Sequence, residues 1–319
     1  MAFVLLGFGI GVARFGSPQH IAIKAYDAFK APPAGVDVAG NLNQRLFNLS
    51  SNGRLAYGRV AIDAYTAHPW AGSGAGTYEF SWLRHRDING KVRDAHNLYL
   101  EVLSELGPFG LALLIVALGV PIIAATKVRR HPLVPIALGA YIAYLAHAAV
   151  DWDWEMPAVS LPALFCGVAI LVVARTDSDR RMLSFRTRTI AVVAALGLAT
   201  FAFIGLMGNL AIASSNSAAS ASKWQDSARH ARDAKRWMPW SPDPWRQLGE
   251  AQYAEGNFAA ARTNFRKAIS KDRNNWLIWA DLAASSTGAE FRAAAQEALR
   301  LNPLAPELAG FKQELKSGS

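Results

Sequence analysis

Residues 107–126 (GPFGLALLIVALGVPIIAAT) contain no Asp, Glu, Lys or Arg, and this stretch decides the fold class. A helix needs about 20 mainly apolar residues to cross the hydrocarbon layer of a bilayer. Residues 133–150, 156–174 and 189–213 are likewise uncharged. Because only a helix satisfies its own backbone in lipid, we predict four transmembrane helices over residues 107–213.

The overall composition also indicates a membrane protein. Of the 319 residues, 52% are hydrophobic and only 18% are charged, which is too apolar for an ordinary soluble domain of this size. The alternative, buried core helices of a soluble protein, fits poorly because the apolar residues are segregated into blocks. Cys166 is the only cysteine, which excludes an intrachain disulfide and a cysteine-based metal site.

The distribution of basic residues predicts the orientation of the helices. Segments 127–132 and 175–188 carry eight Lys and Arg residues, whereas residues 151–155 (DWDWE) carry three acids and no base. Basic short loops stay in the cytoplasm. We therefore expect the loop at 14–106, the DWDWE segment and the tail at 214–319 to lie outside. Much of the net charge of +9 is then a topology signal, so no nucleic-acid partner is expected.

The first residues, 1–13 (MAFVLLGFGIGVA), are uncharged but short for a span. They have no basic n-region and no convincing cleavage site, so they make a poor signal peptide. We interpret them as a partial transmembrane helix. The chain is accordingly expected to be the C-terminal portion of a longer protein.

The tail at 214–319 has a helical pattern with an internal repeat. Trp279 lies 34 positions after Trp245, the period of tetratricopeptide repeats. The positions that match the repeat are Trp245, Leu248, Gly249, Gly256, Ala261, Phe265 and Ala268. Gln252 and Arg273 depart from the usual tyrosine and proline, and a generic helical hairpin domain remains open. The pattern predicts a TPR-like α-solenoid that offers a concave surface to a protein partner.

The loop at 14–106 carries the polar motifs. A helix is predicted for residues 53–68, with residues 50–52 (SSN) as candidate caps. It carries Arg54 and Arg59, which diverge around its axis. The alternating glycines of the PWAGSGAGTY segment that follows permit close approach of the backbone to a ligand.

A second helix is predicted to begin within residues 94–101 (DAHNLYLE), with His96 in its first turn. The partial positive charge of a helix N-terminus favours neutral imidazole, which is the form a general base requires. The same field attracts phosphate. A single histidine is also common as a structural residue, so both interpretations stay open at this point.

Taken in order, these motifs resemble the O-antigen ligase and polymerase family. They are Arg54, Pro69-x-x-Gly72-x-Gly74-x-Gly76, His96-Asn97-x-x-Leu100 and Glu105-x-Gly107-x-x-Gly110. The resemblance implies transfer of a glycan from a polyprenyl-pyrophosphate donor to an acceptor hydroxyl, on a lipid, a glycan or a protein. It places the reaction at the bacterial inner membrane, outside the cytoplasm, in an all-α polytopic bundle.

The resemblance also assigns roles to residues. His96 would deprotonate or orient the acceptor hydroxyl, and Arg54 would neutralise the leaving pyrophosphate through planar, multidentate donors. Arg59 and Arg45 are weaker candidates for the donor site. Further candidate substrate-binding residues are Asn97, Gly74 and Gly76. The scheme requires no metal and no cofactor.

The DWDWE segment admits three interpretations. Asp151-x-Asp153 can hold a divalent metal, Trp152 and Trp154 can stack on sugar rings, or the segment is a solvated turn with interfacial aromatic anchors. Asp151, Trp152 and Asp153 are included among the candidate substrate contacts.

A non-enzymatic alternative also remains. Members of the family normally have many more helices before the external loop, and these carry further donor-binding arginines. A chain without them could be an inactive remnant, or a truncated, non-catalytic, membrane-anchored repeat protein that assembles partners for envelope glycan synthesis.

Overall fold

The computed structural model describes residues 51–175 and 184–317, together with six residues between 19 and 30. The predicted partial helix at 1–13 lies outside the described residues. In the two described ranges the structure is all-helical and contains no strand. The chain divides into two compact units, Met1–Ala174 and Arg175–Ser319, each with its own packing.

The first unit holds five helices in its described part. They are α1 (Arg54–Ala67), α2 (Tyr78–His85), α3 (Leu98–Lys127), α4 (Val134–His147) and α5 (Pro157–Ala174), with a 3-10 turn at Asp153–Glu155. α3 is kinked at Gly107, whose φ of 67° and ψ of −171° are not helical. Pro108 follows and has no N–H to donate, so the helical ladder is interrupted at this point.

In the part of the chain that the structure describes, three helices are long and apolar enough to cross a membrane: Leu98–Lys127, Pro157–Ala174 and Phe185–Ser220. The fourth predicted span, at 133–150, contains only the 14-residue helix α4. A helix of that length reaches about 21 Å, less than the thickness of the hydrocarbon layer. Its crossing of the bilayer and the orientation of all the helices therefore stay predictions.

The three apolar helices of the first unit share a small buried cluster and a tyrosine hydrogen bond. Ala125, Val134 and Ile170 form a buried cluster among α3, α4 and α5. The hydroxyl of Tyr141 donates to the Leu118 carbonyl at 3.0 Å, which ties α4 to α3. The Leu98 amide donates to the Ala148 carbonyl at 2.8 Å, which places the start of α3 beside the segment that follows α4.

The start of α1 differs from the prediction. Its N-cap is Gly53, with φ 91°, and this position has no side-chain cap bond. The N-cap is therefore neither Ser51 nor Asn52, while Ser50 lies outside the described residues. A left-handed glycine turn starts the helix, and the Arg54 amide donates to the Ser51 carbonyl at 3.0 Å.

The second unit holds seven helices in its described part. They are α6 (Phe185–Ser220), α7 (Trp224–Trp237), α8 (Asp243–Ala254), α9 (Phe258–Lys271), α10 (Trp276–Ala284), α11 (Gly288–Leu301) and α12 (Ala309–Ser317). Consecutive helices pack as pairs, and Gly249 of α8 lies against Phe265 of α9, where a Cβ would come within 2.6 Å of the ring. Two helices paired through a glycine and an aromatic ring are compatible with the predicted repeat. The TPR-like assignment stays a prediction.

Candidate active site

The glycine-rich segment 69–76 closes over the kink in α3. The amides of Ser73 and Gly74 donate to the carbonyls of Ser104 and Glu105, each at 2.9 Å. A helix that is interrupted leaves its last carbonyls without helical partners, and these two bonds supply them. The segment therefore serves as a backbone cap for the first part of α3.

The carboxylate of Glu105 holds the other end of this segment. Its oxygens accept hydrogen bonds from the amides of Gly76 at 2.8 Å and Tyr78 at 2.9 Å. The carboxylate thus lies at the N-terminus of α2, where negative charge is favoured. Gly74 and Gly76 were predicted to contact substrate, but their amides have protein acceptors, so the geometry adds no support for that role.

Two glycines make this close packing possible. A Cβ on Gly72 would lie 2.2 Å from the carbonyl carbon of Glu105, and a Cβ on Gly107 would lie 2.4 Å from the carbonyl oxygen of Trp70. Gly107 also has backbone angles that are open essentially to glycine alone. The glycine motif is thus explained by packing of the loop on the helix.

A cavity of about 510 Å³ lies beside this packed loop. It is formed by α1, by the start of α3 and by the residues after α4. Its polar lining residues are Arg54, His96, Asn97, His147 and Asp151. Its apolar lining includes Leu55, Leu100 and Val150. The structure therefore brings together His96, Arg54, Asn97 and Asp151, which the sequence singled out separately.

His96 precedes α3 and does not lie in its first turn. Asn97 is the N-cap, and its side-chain oxygen accepts from the amides of Tyr99 and Leu100, each at 3.0 Å. His96 has a φ of 52°, an uncommon left-handed conformation for a residue with a side chain. The prediction of a first-turn position is therefore wrong, because Asn97 occupies the cap.

Asp94 holds the imidazole of His96. Oδ1 of Asp94 lies 2.8 Å from Nδ1 of His96, and both side chains are largely buried. Burial alone lowers the pKa of His96, but the hydrogen bond and charge of Asp94, with the charge of Asp151, raise this pKa overall. The pKa shift is therefore opposite in direction to the one predicted from the helix N-terminus.

The same pairing sets the tautomer of His96. When Nδ1 donates to Asp94, the neutral imidazole carries its lone pair on Nε2. A carboxylate that orients a histidine in this way is the arrangement used by catalytic bases. His96 is therefore a stronger base than an isolated histidine, and among the described residues its Nε2 has no hydrogen-bond partner, which leaves it available for a substrate.

Arg54 is held at the cavity by Asp151. Its Nη2 lies 2.7 Å from Oδ2 of Asp151, and the other carboxylate oxygen accepts from the Trp152 amide at 2.9 Å. Burial raises the pKa of Asp151, but the Trp152 amide and the Arg54 guanidinium lower it overall, so the carboxylate is ionised at neutral pH. Nε of Arg54 is buried and has no partner among the described residues. The Arg54 side chain as a whole is 34% exposed, so an anionic ligand in the cavity can reach the guanidinium.

Two site residues were missed by sequence reasoning. Asp94 stands two positions before His96, and this spacing was an available signal because a side chain there can reach back to the imidazole. His147 also lines the cavity, and its Nδ1 lies 3.0 Å from Oδ1 of Asp153. No local motif marks His147, because only the packing of α4 brings it to the site.

The remaining arginine candidates are not part of the cavity as described. Arg59 forms an exposed ion pair with Asp87 at 2.8 Å. It is not one of the described residues that line the cavity. Arg45 lies outside the described residues. Arg54 and Arg59 thus point to different partners, in keeping with their predicted divergence around α1.

The DWDWE segment contributes Asp151 to the cavity. Among the described lining residues, Trp152 and Asp153 do not appear. Asp151 binds Arg54 while Asp153 binds His147, so the two carboxylates of the Asp-x-Asp motif serve different partners. The described part of the chain holds no group of three or more His, Cys, Asp and Glu side chains arranged as a metal site.

Comparison with known proteins found a family match for the N-terminal part of the chain. Residues 1–115 match the family model described as O-antigen ligase, a range that includes Arg54, Asp94 and His96. No curated protein was found to match the chain. The match shows that this part of the chain is similar to O-antigen ligases, and three helices among the described residues are long and apolar enough to cross a membrane.

Proposed function

We propose that this chain carries the transfer of a glycan from a polyprenyl-pyrophosphate donor to an acceptor hydroxyl, outside the cytoplasm. The observation that carries the proposal is the convergence of His96, Arg54 and Asp151 on one cavity. A base and an anion-binding cation are the two groups that such a transfer needs. The cavity also lies where α3 begins and α4 ends, beside the apolar helices that would contact a polyprenyl chain.

In the proposed reaction, Nε2 of His96 accepts the proton of the acceptor hydroxyl as its oxygen attacks the anomeric carbon of the donor. The bond from that carbon to the pyrophosphate oxygen breaks, and the configuration at the anomeric carbon is inverted. The leaving polyprenyl pyrophosphate gains negative charge, which the guanidinium of Arg54 stabilises. The proton on His96 then passes to solvent.

Two carboxylates position these groups. Asp94 fixes the ring of His96 through Nδ1 and stabilises the imidazolium that forms during transfer. Asp151 holds the guanidinium of Arg54 through Nη2, which fixes this cation at the cavity. Neither carboxylate has to bind substrate for this purpose.

The basic loops support an extracytoplasmic position for the site, since they predict that residues 14–106 and 151–155 lie outside. The cavity fits this prediction, because it contains residues from both segments. The acceptor stays open among a lipid, a growing glycan and a protein. A protein acceptor or partner would use the repeat helices of the second unit.

The proposal is tested with His96→Ala and Arg54→Ala in the full-length gene product, with surface glycan read on a gel. His85→Ala is the matched control, because His85 is an exposed histidine whose Nδ1 bonds only to a local carbonyl, that of Ser81. We expect both cavity variants to lose glycan at normal membrane levels and the control to keep it. Normal glycan from a well-expressed His96→Ala variant would remove the proposed base.

The scaffold alternative gives the opposite pattern in the same assay. A non-catalytic, membrane-anchored repeat protein would tolerate His96→Ala and would fail when residues 223–319 are deleted. If transfer persists without these residues, the repeat helices are an accessory to the reaction.

A further inference from the structure

The second unit contains a helical hairpin in which only one arm is apolar. Ser215 of α6 bonds to Ser227 of α7, with the two hydroxyl oxygens 3.0 Å apart. Further along, Phe201 of α6 stacks on Trp240, with ring centroids 6.1 Å apart. Residue numbers rise along one arm as they fall along the other, so α7 runs antiparallel to α6 and returns along the membrane-spanning helix.

The segment at the end of this return, residues 237–240 (WMPW), is packed on α6. Trp237 meets Phe203 edge-on at 6.3 Å, and a Cβ on Gly208 would lie 2.3 Å from Cγ of Met238. Met238 is buried by this contact. Trp237 and Trp240 remain 38% and 50% exposed, so each presents an aromatic face beside an apolar helix.

The helical rise of α6 gives the depth of the WMPW segment in a bilayer. The most apolar 18-residue window of α6 has 0% of its residues buried, so lipid can contact it along its length. Counted from Arg188, the last charged residue before the apolar run, Phe201 lies about 20 Å and Gly208 about 30 Å along the axis. Because the hydrocarbon layer is about 30 Å thick, WMPW covers its last third and the boundary with the headgroups.

The charge of α7 suits the layer beyond that boundary. The helix carries four basic residues and two acidic ones, and therefore a net charge of +2 with its histidine neutral. Tryptophan at the hydrocarbon boundary and basic residues among the headgroups form the pattern of an interfacial element. Anionic lipids attract such basic segments.

A cavity of about 610 Å³ lies between the two arms, and it is apolar on the side of α6 and polar on the side of α7. Met207, Leu210 and Ala211 of α6 form its apolar wall. His230, Asp233 and Arg236 of α7 form its polar wall. A phospholipid would place an acyl chain against the first wall and its phosphate near Arg236 on the second.

We propose that α7 and the WMPW segment form a membrane-interface anchor. Trp237 and Trp240 insert among the lipids of the leaflet in which α6 ends, and the basic residues of α7 bind anionic phospholipid headgroups. The anchor holds α8, the helix that follows the WMPW segment, at the bilayer surface, and the helices α9 to α12 continue from it. The proposal concerns the second unit alone and does not depend on the transfer reaction.

Tryptophan quenching tests the insertion. The full chain is placed in vesicles of phosphatidylethanolamine and phosphatidylglycerol whose acyl chains are brominated near the headgroup. Subtracting the emission of a Trp237→Phe/Trp240→Phe variant from that of the parent chain isolates these two residues. We expect bromine to remove most of this difference emission. The control is Trp279→Phe, because Trp279 packs against the core of the repeat helices and donates to the Arg273 carbonyl. The difference emission between the parent chain and this variant should not be quenched by bromine.

An unquenched difference emission for the Trp237 and Trp240 pair overturns the proposal. If the pair is also shielded from aqueous iodide, a protein surface covers these residues in place of lipid. Circular dichroism checks that the Phe variants stay helical. If the double variant does not fold, the single variants Trp237→Phe and Trp240→Phe give the same comparison.

The headgroup part is tested by restricting bromine to one lipid at a time. Brominated phosphatidylglycerol should quench the pair more than brominated phosphatidylethanolamine at the same mole fraction. Arg232→Gln/Arg236→Gln should reduce this preference by about fivefold per arginine, since each contributes about 1 kcal/mol near an anionic surface. Equal quenching of the parent chain by the two lipids overturns the assignment of anionic headgroups.

Discussion

Substitution of Gly72 by alanine tests the contact between the glycine-rich segment and the kink in α3. The new Cβ would lie 2.2 Å from the Glu105 carbonyl carbon, a backbone atom that cannot rotate away. The positive φ of 69° costs about 1–2 kcal/mol for a residue with a side chain. Forcing the segment off the helix adds about 1–3 kcal/mol, as overpacking does in a core. We expect Gly72→Ala to lower the free energy of unfolding by the sum of these two effects.

Gly76→Ala is a matched control for the first of them. Gly76 has φ 71°, close to that of Gly72, but a Cβ there meets nothing within 4 Å. This variant therefore carries the cost of the left-handed backbone without the clash. The difference between the two variants isolates the packing of the loop on the helix.

The assay is thermal unfolding of the purified protein in detergent, followed by tryptophan fluorescence. A loss of 1 kcal/mol lowers Tm by about 2–4 °C in a domain of 150–250 residues, so Gly72→Ala should unfold roughly 2–12 °C below Gly76→Ala. Equal Tm values for the two variants would refute the packing argument. Surface glycan measured on the same variants shows whether the active cavity depends on this contact.

Three further outcomes are expected from the site geometry. Asp94→Asn should slow transfer and move the acid limb of the rate–pH profile to lower pH. Asp94 raises the pKa of His96, so its loss leaves the imidazole neutral at lower pH. An acid limb that does not move in proteoliposome assays would speak against the pairing. Arg59→Gln should leave transfer nearly unchanged, because exposed ion pairs contribute about 0–1 kcal/mol. Arg54→Gln should abolish transfer. Equal transfer rates for the two variants would contradict the role assigned to Arg54. Glu105→Gln should lower the free energy of unfolding by about 1.5–3 kcal/mol through loss of a charged hydrogen bond, measured as Tm, and an unchanged Tm would show that the carboxylate adds little.

The sequence by itself determined the class of the protein and the order of its motifs. Length and polarity along one dimension are sufficient to find an apolar helix, because lipid imposes the same requirement on every span. Three of the four predicted spans have helices long enough to cross, and the all-helical class is confirmed in the described residues. The resemblance of the loop motifs to O-antigen ligases was likewise visible in one dimension, and residues 1–115 match that family.

Only the tertiary structure decided which groups act on one another. Arg54 and Asp151 are 97 positions apart, and no local period connects them; packing of the apolar helices makes them a pair. Local reasoning placed His96 in the field of a helix, whereas in the folded chain a carboxylate two residues away raises its pKa against the effect of burial. The glycines were interpreted as a ligand cradle, yet the amides of Gly74 and Gly76 donate to the carbonyl and the carboxylate of Glu105. A sequence specifies which side chains and backbone conformations are available, while the partner of each buried polar group depends on distant segments that packing brings within hydrogen-bonding range.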